Sequence, residues 1–373
     1  MKRLTLILVL VLTANAEQLA ELSGGAGEGS SVLLVSSGAA VGAPSANNGQ
    51  GAVYLYAIGN GWQDMKQPSE TLTAPDGAPG DGFGTAIVTA GSQLLIGAPG
   101  HNGGAGAIYV YVKLQLTQEI ELQWGAIGLG ASLSTSLTSP NVFVSGGPDD
   151  AAVGGVVVIW EYVGGAWTVL GSVGNPLGRF NSGQFGGTVA LSQGVLSLYG
   201  QPYAAASDSQ GYVYTMEYNG GATGYGTDGR LKGIAPDFGT AISFQQASNY
   251  LFVGEPSTGT VYVFETGLQE GHPVWQHAHL QAMLTDSTLQ AGSGFGSSIS
   301  VSGKNMLIGA PGAGVVDLYT EPTGNWGNMT VPTKAYAGPG ATFGQTVAWQ
   351  LGKIPSQFIV GDVAASAAFV EGR

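Results

Sequence analysis

Short apolar runs separated by glycine-rich turns fill most of this chain, and the clearest stretch spans Asp81 to Tyr111. It opens with Phe83-Gly84-Thr85-Ala86-Ile87-Val88, turns at Ala90-Gly91-Ser92, and continues as Leu94-Leu95-Ile96-Gly97-Ala98-Pro99. A glycine-rich loop then leads into Gly106-Ala107-Ile108-Tyr109-Val110-Tyr111. Three short runs divided by glycine turns predict an antiparallel meander. The second run is apolar throughout, as expected of a strand covered on both faces. Pro99 has no N–H to give a ladder, so it marks where that strand ends. The third run is rich in β-branched and aromatic residues, which suit a pleated, packed surface. A fourth strand is heralded by tryptophan: Trp62, Trp167, Trp275 and Trp326 each follow a third strand, and Trp62 leads into Glu70-Thr71-Leu72-Thr73.

The unit repeats. Gly42-Ala43-Pro44 returns as Gly97-Ala98-Pro99 and Gly309-Ala310-Pro311, with degraded copies at Gly146-Gly147-Pro148, Gly200-Gln201-Pro202, Gly254-Glu255-Pro256 and Gly361-Asp362-Val363. The leading glycines stand 49–55 residues apart, and a period near 50 filled with short strands is the signature of propeller blades. The opening Phe-Gly recurs at Phe83, Phe185, Phe238, Phe295 and Phe343, with Glu28-Gly29 and Leu129-Gly130 standing in the first and third units. These residues are read as structural, the glycine allowing a tight turn and the phenylalanine filling space between blades. Seven units of four strands predict an all-β, seven-bladed propeller of antiparallel blades. The last unit stops after its third strand, Ala367-Ala368-Phe369-Val370, while Glu17-Gln18-Leu19-Ala20-Glu21-Leu22 precedes the first unit. The N-terminal segment is therefore expected to supply the missing strand and close the ring.

Ahead of the repeats, Lys2 and Arg3 precede the apolar run Leu4 to Leu12 and then Ala14-Asn15-Ala16. This is the layout of a secretory leader with an A-x-A cleavage site, and the run is far short of the roughly 20 residues a bilayer needs. Residues 1–16 are thus expected to be a signal peptide cleaved after Ala16. Residues 17–373 would be the propeller, exported to the extracellular space without inserting into a membrane. The chain has 11 basic and 24 acidic residues, a balance that repels nucleic acid and anionic lipid. Only 9% of residues are charged and 64 of 373 are glycine, which suits a turn-rich β chain. There is no cysteine; a chain this long can bury a core without disulfides.

Phe-Gly, Gly-Ala-Pro and the Gly-x-Val-Tyr strand keep their order and spacing across the units. In this they resemble the FG-GAP repeat family, whose members include the propeller heads of integrin α chains. The closest look is to secreted FG-GAP proteins of bacteria and protists, where a segment like Thr71-Leu72-Thr73-Ala74 through Gly80-Asp81-Gly82-Phe83-Gly84 links blades. Many family members carry an aspartate-rich calcium loop in the hairpin between the first two strands. Here those hairpins read Thr89-Ala90-Gly91-Ser92-Gln93, Ser192-Gln193-Gly194 and Ser302-Gly303-Lys304-Asn305, with no acid among them. Calcium needs six to eight oxygen ligands, so no family-type calcium cage is expected, and no metal or cofactor is assigned.

Catalytic signatures are sparse: no cysteine nucleophile, no G-x-S-x-G elbow and no phosphate loop. His277 and His279 share a side of a predicted outer strand near His272. No fourth ligand accompanies them, so a plain surface strand is the preferred reading. The aspartates are more telling. Loops after the second and fourth strands of a propeller open on one face, and nine of the eleven aspartates are assigned to them: Asp76, Asp81, Asp149, Asp150, Asp208, Asp228, Asp237, Asp286 and Asp362. By the family resemblance, this is the face that integrin heads use for ligands. The functional reading is an acidic recognition face for an extracellular protein or glycan. Its rival is that aspartate simply favours turns. Asn328-Met329-Thr330 is an N-glycosylation sequon. Taken together, the leading expectation is a secreted, non-catalytic recognition or adhesion propeller. A structural subunit of an extracellular coat or complex is the alternative, and a polysaccharide-active enzyme ranks third.

Overall fold

The computed structural model describes residues 18–125, 127–149, 154–178, 183–196, 200–220, 224–245, 249–269, 272–350 and 357–372. Seven four-stranded antiparallel sheets, six of them in sequential strand order, form a ring in which the first strand of every blade lies beside the first strands of its two neighbours. Blade 2 shows the plan, with strands at Ala86–Ala90, Gln93–Ala98, Ala107–Val112 and Gln115–Ile120. Blade 7 is completed by Gln18–Leu22, which pairs with Ala367–Gly372 in the register Glu21↔Phe369 and Leu22↔Ala368. The expected closure is therefore present. The leader assigned to residues 1–16 lies outside the described residues.

The core sits between blades and not within them. Seven large apolar clusters each draw on two adjacent blades, and the last of these joins blade 7 to blade 1 through Ala20, Leu22, Leu34, Val41 and Ile359. Phe83, Phe185, Phe238, Phe295 and Phe343 are all buried in these seams. Phe83, Phe185 and Phe238 meet the third-strand rings of Tyr109, Tyr214 and Tyr262 edge-on, at 5.4, 5.6 and 5.5 Å, the geometry that ring quadrupoles favour. Tryptophan then clasps neighbouring blades: the indole N–H groups of Trp62, Trp167 and Trp326 donate to Gln357, Gln93 and Gln245 of the preceding blade.

Two glycines at each seam set how closely blades approach. The Phe-Gly glycines Gly29, Gly84, Gly130, Gly186, Gly239, Gly296 and Gly344 all take φ between 89° and 97°, a region closed to most side chains. Their carbonyl oxygens abut the tripeptide glycines of the preceding blade. A Cβ added to Gly42, Gly97, Gly146, Gly254, Gly309 or Gly361 would lie 1.8–2.2 Å from such an oxygen. The remaining seam corrects the repeat as read from sequence. Gly200-Gln201-Pro202 does not end the second strand of blade 4; Pro202 begins it, and Ser207-Asp208-Ser209 occupies the tripeptide position. The N–H of Gly186 donates to the carbonyl of Ser207 as that of Gly84 does to Gly97, which fixes the equivalence.

Two predictions follow from closure and seams. Deleting residues 17–24 exposes the edge of Ala367–Gly372 and should lower the melting temperature sharply; an unchanged melt would refute closure by this strand. Gly309→Ala should cost about 3 kcal/mol or more in urea unfolding. Gly327→Ala, where nothing lies within 4 Å of the added atom, should cost far less.

Candidate functional site

The registers Ala98↔Ala107, Ile108↔Ile120 and Ala86↔Gly97 bring the loop after each second strand and the loop after each fourth strand to one face of the disc. Acids on this face divide by what they hold. Asp208 accepts from the N–H groups of Gln210 and Tyr212, both at 2.9 Å. Asp362 accepts from Thr342 Oγ1 at 2.6 Å and the N–H of Ala365 at 3.2 Å. Asp286 accepts from the N–H and hydroxyl of Thr288, each at 2.7 Å. All three are buried, so turn chemistry accounts for them. Glu255 has the same task in blade 5, taking the N–H groups of Ile234 and Ala235 and the Tyr262 hydroxyl. Asp237 is half-buried and accepts from the N–H and hydroxyl of Ser257. Asp76 and Asp149 remain exposed.

Asp228 is not on this face. It lies within Tyr225–Lys232, the fourth strand of blade 4, where its Oδ2 accepts the N–H of Trp275 from blade 5 at 2.7 Å. Burial pushes its carboxyl above the usual range despite that bond. Asp150 lies outside the described residues. Asn328 is exposed and its Oδ1 accepts the N–H of Met283 at 2.8 Å. His277 and His279 are exposed on His272–Leu284, and His279 Nε2 stands 3.7 Å from Glu265. The side chain of His272 lies outside the described residues.

The densest group of charged residues on the loop face belongs to blade 2. His101, in the loop after the second strand, is 4% exposed. Its Nδ1 meets Asp81 Oδ2 at 2.8 Å, and that carboxylate oxygen also accepts the N–H of Ala78 at 2.9 Å. Its Nε2 faces Asp76, Glu119 and Glu121 at 3.6, 3.5 and 3.6 Å. Asp76 is further tied down by the Tyr109 hydroxyl at 2.9 Å. Burial pulls the His101 imidazole down, but the bond to Asp81 and the surrounding carboxylates outweigh it and leave it raised. Glu119 is raised too, by burial and then by its acidic neighbours. Of these residues only Asp76 and Asp81 stood out in the sequence. His101 follows Pro99-Gly100, and Glu119 and Glu121 alternate at the end of a strand, a pattern that shows a shared side but not a shared centre.

Residues 68–111, which contain Asp76, Asp81, His101 and Tyr109, match the family model for the FG-GAP repeat. Over that segment the chain is similar to the FG-GAP repeat. Its setting is a seven-bladed propeller, and the β-propeller domain of Cps50 (Swd1) from Myceliophteria thermophila has a similar fold. That structure superposes with a TM-score of 0.63 at 10% identity, covering 93% of this chain and 97% of the other. At that identity the likeness is one of fold alone. No curated protein matches the chain.

Across the ring from this blade, a buried acid, Asp317, faces another carboxyl group, that of Asp286. Asp317 occupies the third-strand position that Tyr109, Tyr214 and Tyr262 fill elsewhere, since it pairs with Ile308 as Tyr109 pairs with Ile96. Neither of its carboxyl oxygens meets a backbone N–H or a hydroxyl, and the group beside it is the carboxyl of Asp286. Burial, and then repulsion from Asp286, push it up to about 8. Glu28, seated in place of a phenylalanine, is pushed up to about 7 by burial, despite the Tyr56 hydroxyl at 2.5 Å and two backbone N–H groups.

The seven first strands surround a central channel of about 620 Å³ whose described lining is aliphatic and hydroxyl-bearing, with Trp349, Phe244 and Gln350 but no acid or base. A second hollow, of about 510 Å³, opens on the loop face by blades 3 to 5 and is lined by Pro148, Thr188, Asp208, Ser209, Pro236 and Asp237.

The buried acids fix a pH dependence. Asp317 and Glu28 hold protons in the fold at pH values where the unfolded chain has lost them, so unfolding releases protons and stability falls as pH rises. The decline should run from about pH 4 to about pH 8, the interval between the ordinary value of 3.8 and the raised one of Asp317. Asp317→Asn should raise the melting temperature by roughly 2 °C or more at pH 8.5 and by much less at pH 5. An equal gain at both values would show that Asp317 does not carry the dependence.

Proposed function

We propose that the chain is a secreted recognition propeller that binds an extracellular protein or glycan through the loops of one disc face. The observation that carries this reading is the 510 Å³ hollow on that face, where hydroxyls, two aspartates and proline rings line an open concavity. Concave sites with a few fixed polar groups suit ligand capture, and loops held by a rigid scaffold are where binding residues concentrate. Exposed Asp149 follows the lining residue Pro148 in sequence. The channel offers a poor alternative centre for acid–base chemistry because its described lining holds no group to donate or take a proton. The family is generally non-catalytic, which agrees with a binding role.

A structural role is the second reading, and the outer rim favours it. Val163, Val169, Leu268, Leu280 and Met283 on the outer two strands of blades 3 and 5 are between 41% and 64% exposed. Apolar side chains in that position suit packing against another surface.

Residues 17–373 applied to a glycan array and to a panel of lysine-rich peptides should show selective binding. Asp149→Lys and Ser209→Trp, which reverse the charge at the hollow and fill it, should each weaken that binding at least tenfold. Binding unchanged in both variants would exclude this face. No binding together with concentration-dependent assembly in size-exclusion chromatography would establish the structural role instead.

A further inference from the structure

Four carboxylates, those of Asp76, Asp81, Glu119 and Glu121, surround the single imidazole of His101. Among the described residues no lysine or arginine is paired with any of them; the ion pair formed by Lys66 lies elsewhere, with Glu21. Such a group is strongly self-repelling unless a cation joins it.

The geometry around the ring distinguishes a cation from a proton. Asp81 takes up Nδ1 at 2.8 Å, an ordinary charge-assisted hydrogen bond. A proton on Nε2 would draw one carboxylate to a similar distance. Instead, Nε2 makes no hydrogen bond and looks into three carboxylate oxygens at 3.5–3.6 Å. The ring is nine-tenths buried, and this nitrogen is aimed at the carboxylates. Donor atoms held about 2.1 Å from a tetrahedral ion stand about 3.4 Å from one another. The distances from Nε2 to the three oxygens are close to that spacing.

We propose that His101 Nε2, Asp76 Oδ2 and Glu119 Oε1 bind one divalent cation of the zinc class. These three donor groups lie within 4.8 Å of one another. Asp81 sets the imidazole so that its Nδ1 carries the proton and Nε2 presents its lone pair, the role carboxylates have behind metal-binding histidines. The Tyr109 hydroxyl orients Asp76 through its other oxygen. Asn102 donates to Glu121 and holds it beside the site as a further acceptor. Imidazole with carboxylates suits zinc, whereas calcium requires six to eight oxygens. Asp76 is half-exposed, with its side chain 47% accessible. The fourth position thus faces solvent on the loop face, which marks an open site and not a closed structural cage. The site uses none of the hairpins between first and second strands, and it does not depend on the identity of any partner.

The chain, freed of metal with EDTA and dialysed, should take up one equivalent of Zn²⁺ in isothermal titration. Co²⁺ in its place should give the intense visible bands of tetrahedral coordination. Glu119→Gln lies on an outer strand and spares the core, and it should weaken Zn²⁺ binding about 10- to 100-fold or more while leaving the far-ultraviolet circular dichroism unchanged. Asp76→Asn, which keeps an acceptor for Tyr109, should do the same. The double variant His277→Ala/His279→Ala should bind as the parent does. Absence of saturable Zn²⁺ binding, equal affinity in the Glu119 and Asp76 variants, or loss of binding only in the His277/His279 variant would each overturn the proposal.

Discussion

At six of the seven blade seams, the α-carbon of one glycine presses on the carbonyl oxygen of another. The first lies near the end of a second strand, and the second is the glycine of the Phe-Gly position in the next blade. No side chain fits between them. This contact fixes the separation of neighbouring sheets, and the aromatic and aliphatic side chains fill what lies outside it. The geometry also explains why the two signatures of the repeat travel together: each glycine is required by the other's backbone, across a blade boundary. At the exceptional seam, Ser207 takes the first position and Gly239 still yields, since a Cβ there would sit 2.6 Å from that of Ser207. One side of the contact can carry a small side chain provided the other does not.

With the seams fixed by backbone, the loop face is free to vary, and its acids fall into two populations. Those at the centre of the degraded tripeptides, Asp208, Glu255 and Asp362, point inward and fasten loops. Those of blade 2 gather around His101 instead. In that blade the tripeptide centre is Ala98, and a histidine with its carboxylates stands where blades 4, 5 and 7 use a single acid. Asp317 is a third variation on the same place. Where other blades put a tyrosine hydroxyl against a carboxylate, blade 6 puts one carboxyl group near another, and the proton retained there does the work of the missing donor.

Period, strand order and ring closure were legible because each rests on a feature that recurs in sequence: Phe-Gly, an apolar second strand, an unmatched N-terminal strand. The fourth tripeptide misled because Val189–Leu196 is a longer first strand than its counterparts. A chance Gly-x-Pro then falls near the hairpin while the true position has lost both glycine and proline. Asp228 misled for a related reason, since a glycine on either side disguises a strand as a loop. The aspartates alone could not reveal their two populations. Whether a carboxylate ends inside a turn or beside His101 depends on residues from three separate segments, 76–81, 101 and 119–121, that only the folded blade brings together. The tryptophans were visible but their glutamine partners were not, because each clasp crosses from one repeat to another.

The strand that completes blade 7 comes from the first part of the chain and its partner from the last, with Gln18 opposite Glu371. Time enters the fold through this pairing. Blade 1 packs against Ala20 and Leu22 through Leu34, Val41 and Tyr56, but the ladder of this strand has to wait for Ala367–Gly372. Without Ala367–Gly372, Gln18–Leu22 and Gln357–Asp362 would each lose the strand that joins them, so the seam between blades 7 and 1 is the one that joins residues farthest apart in sequence.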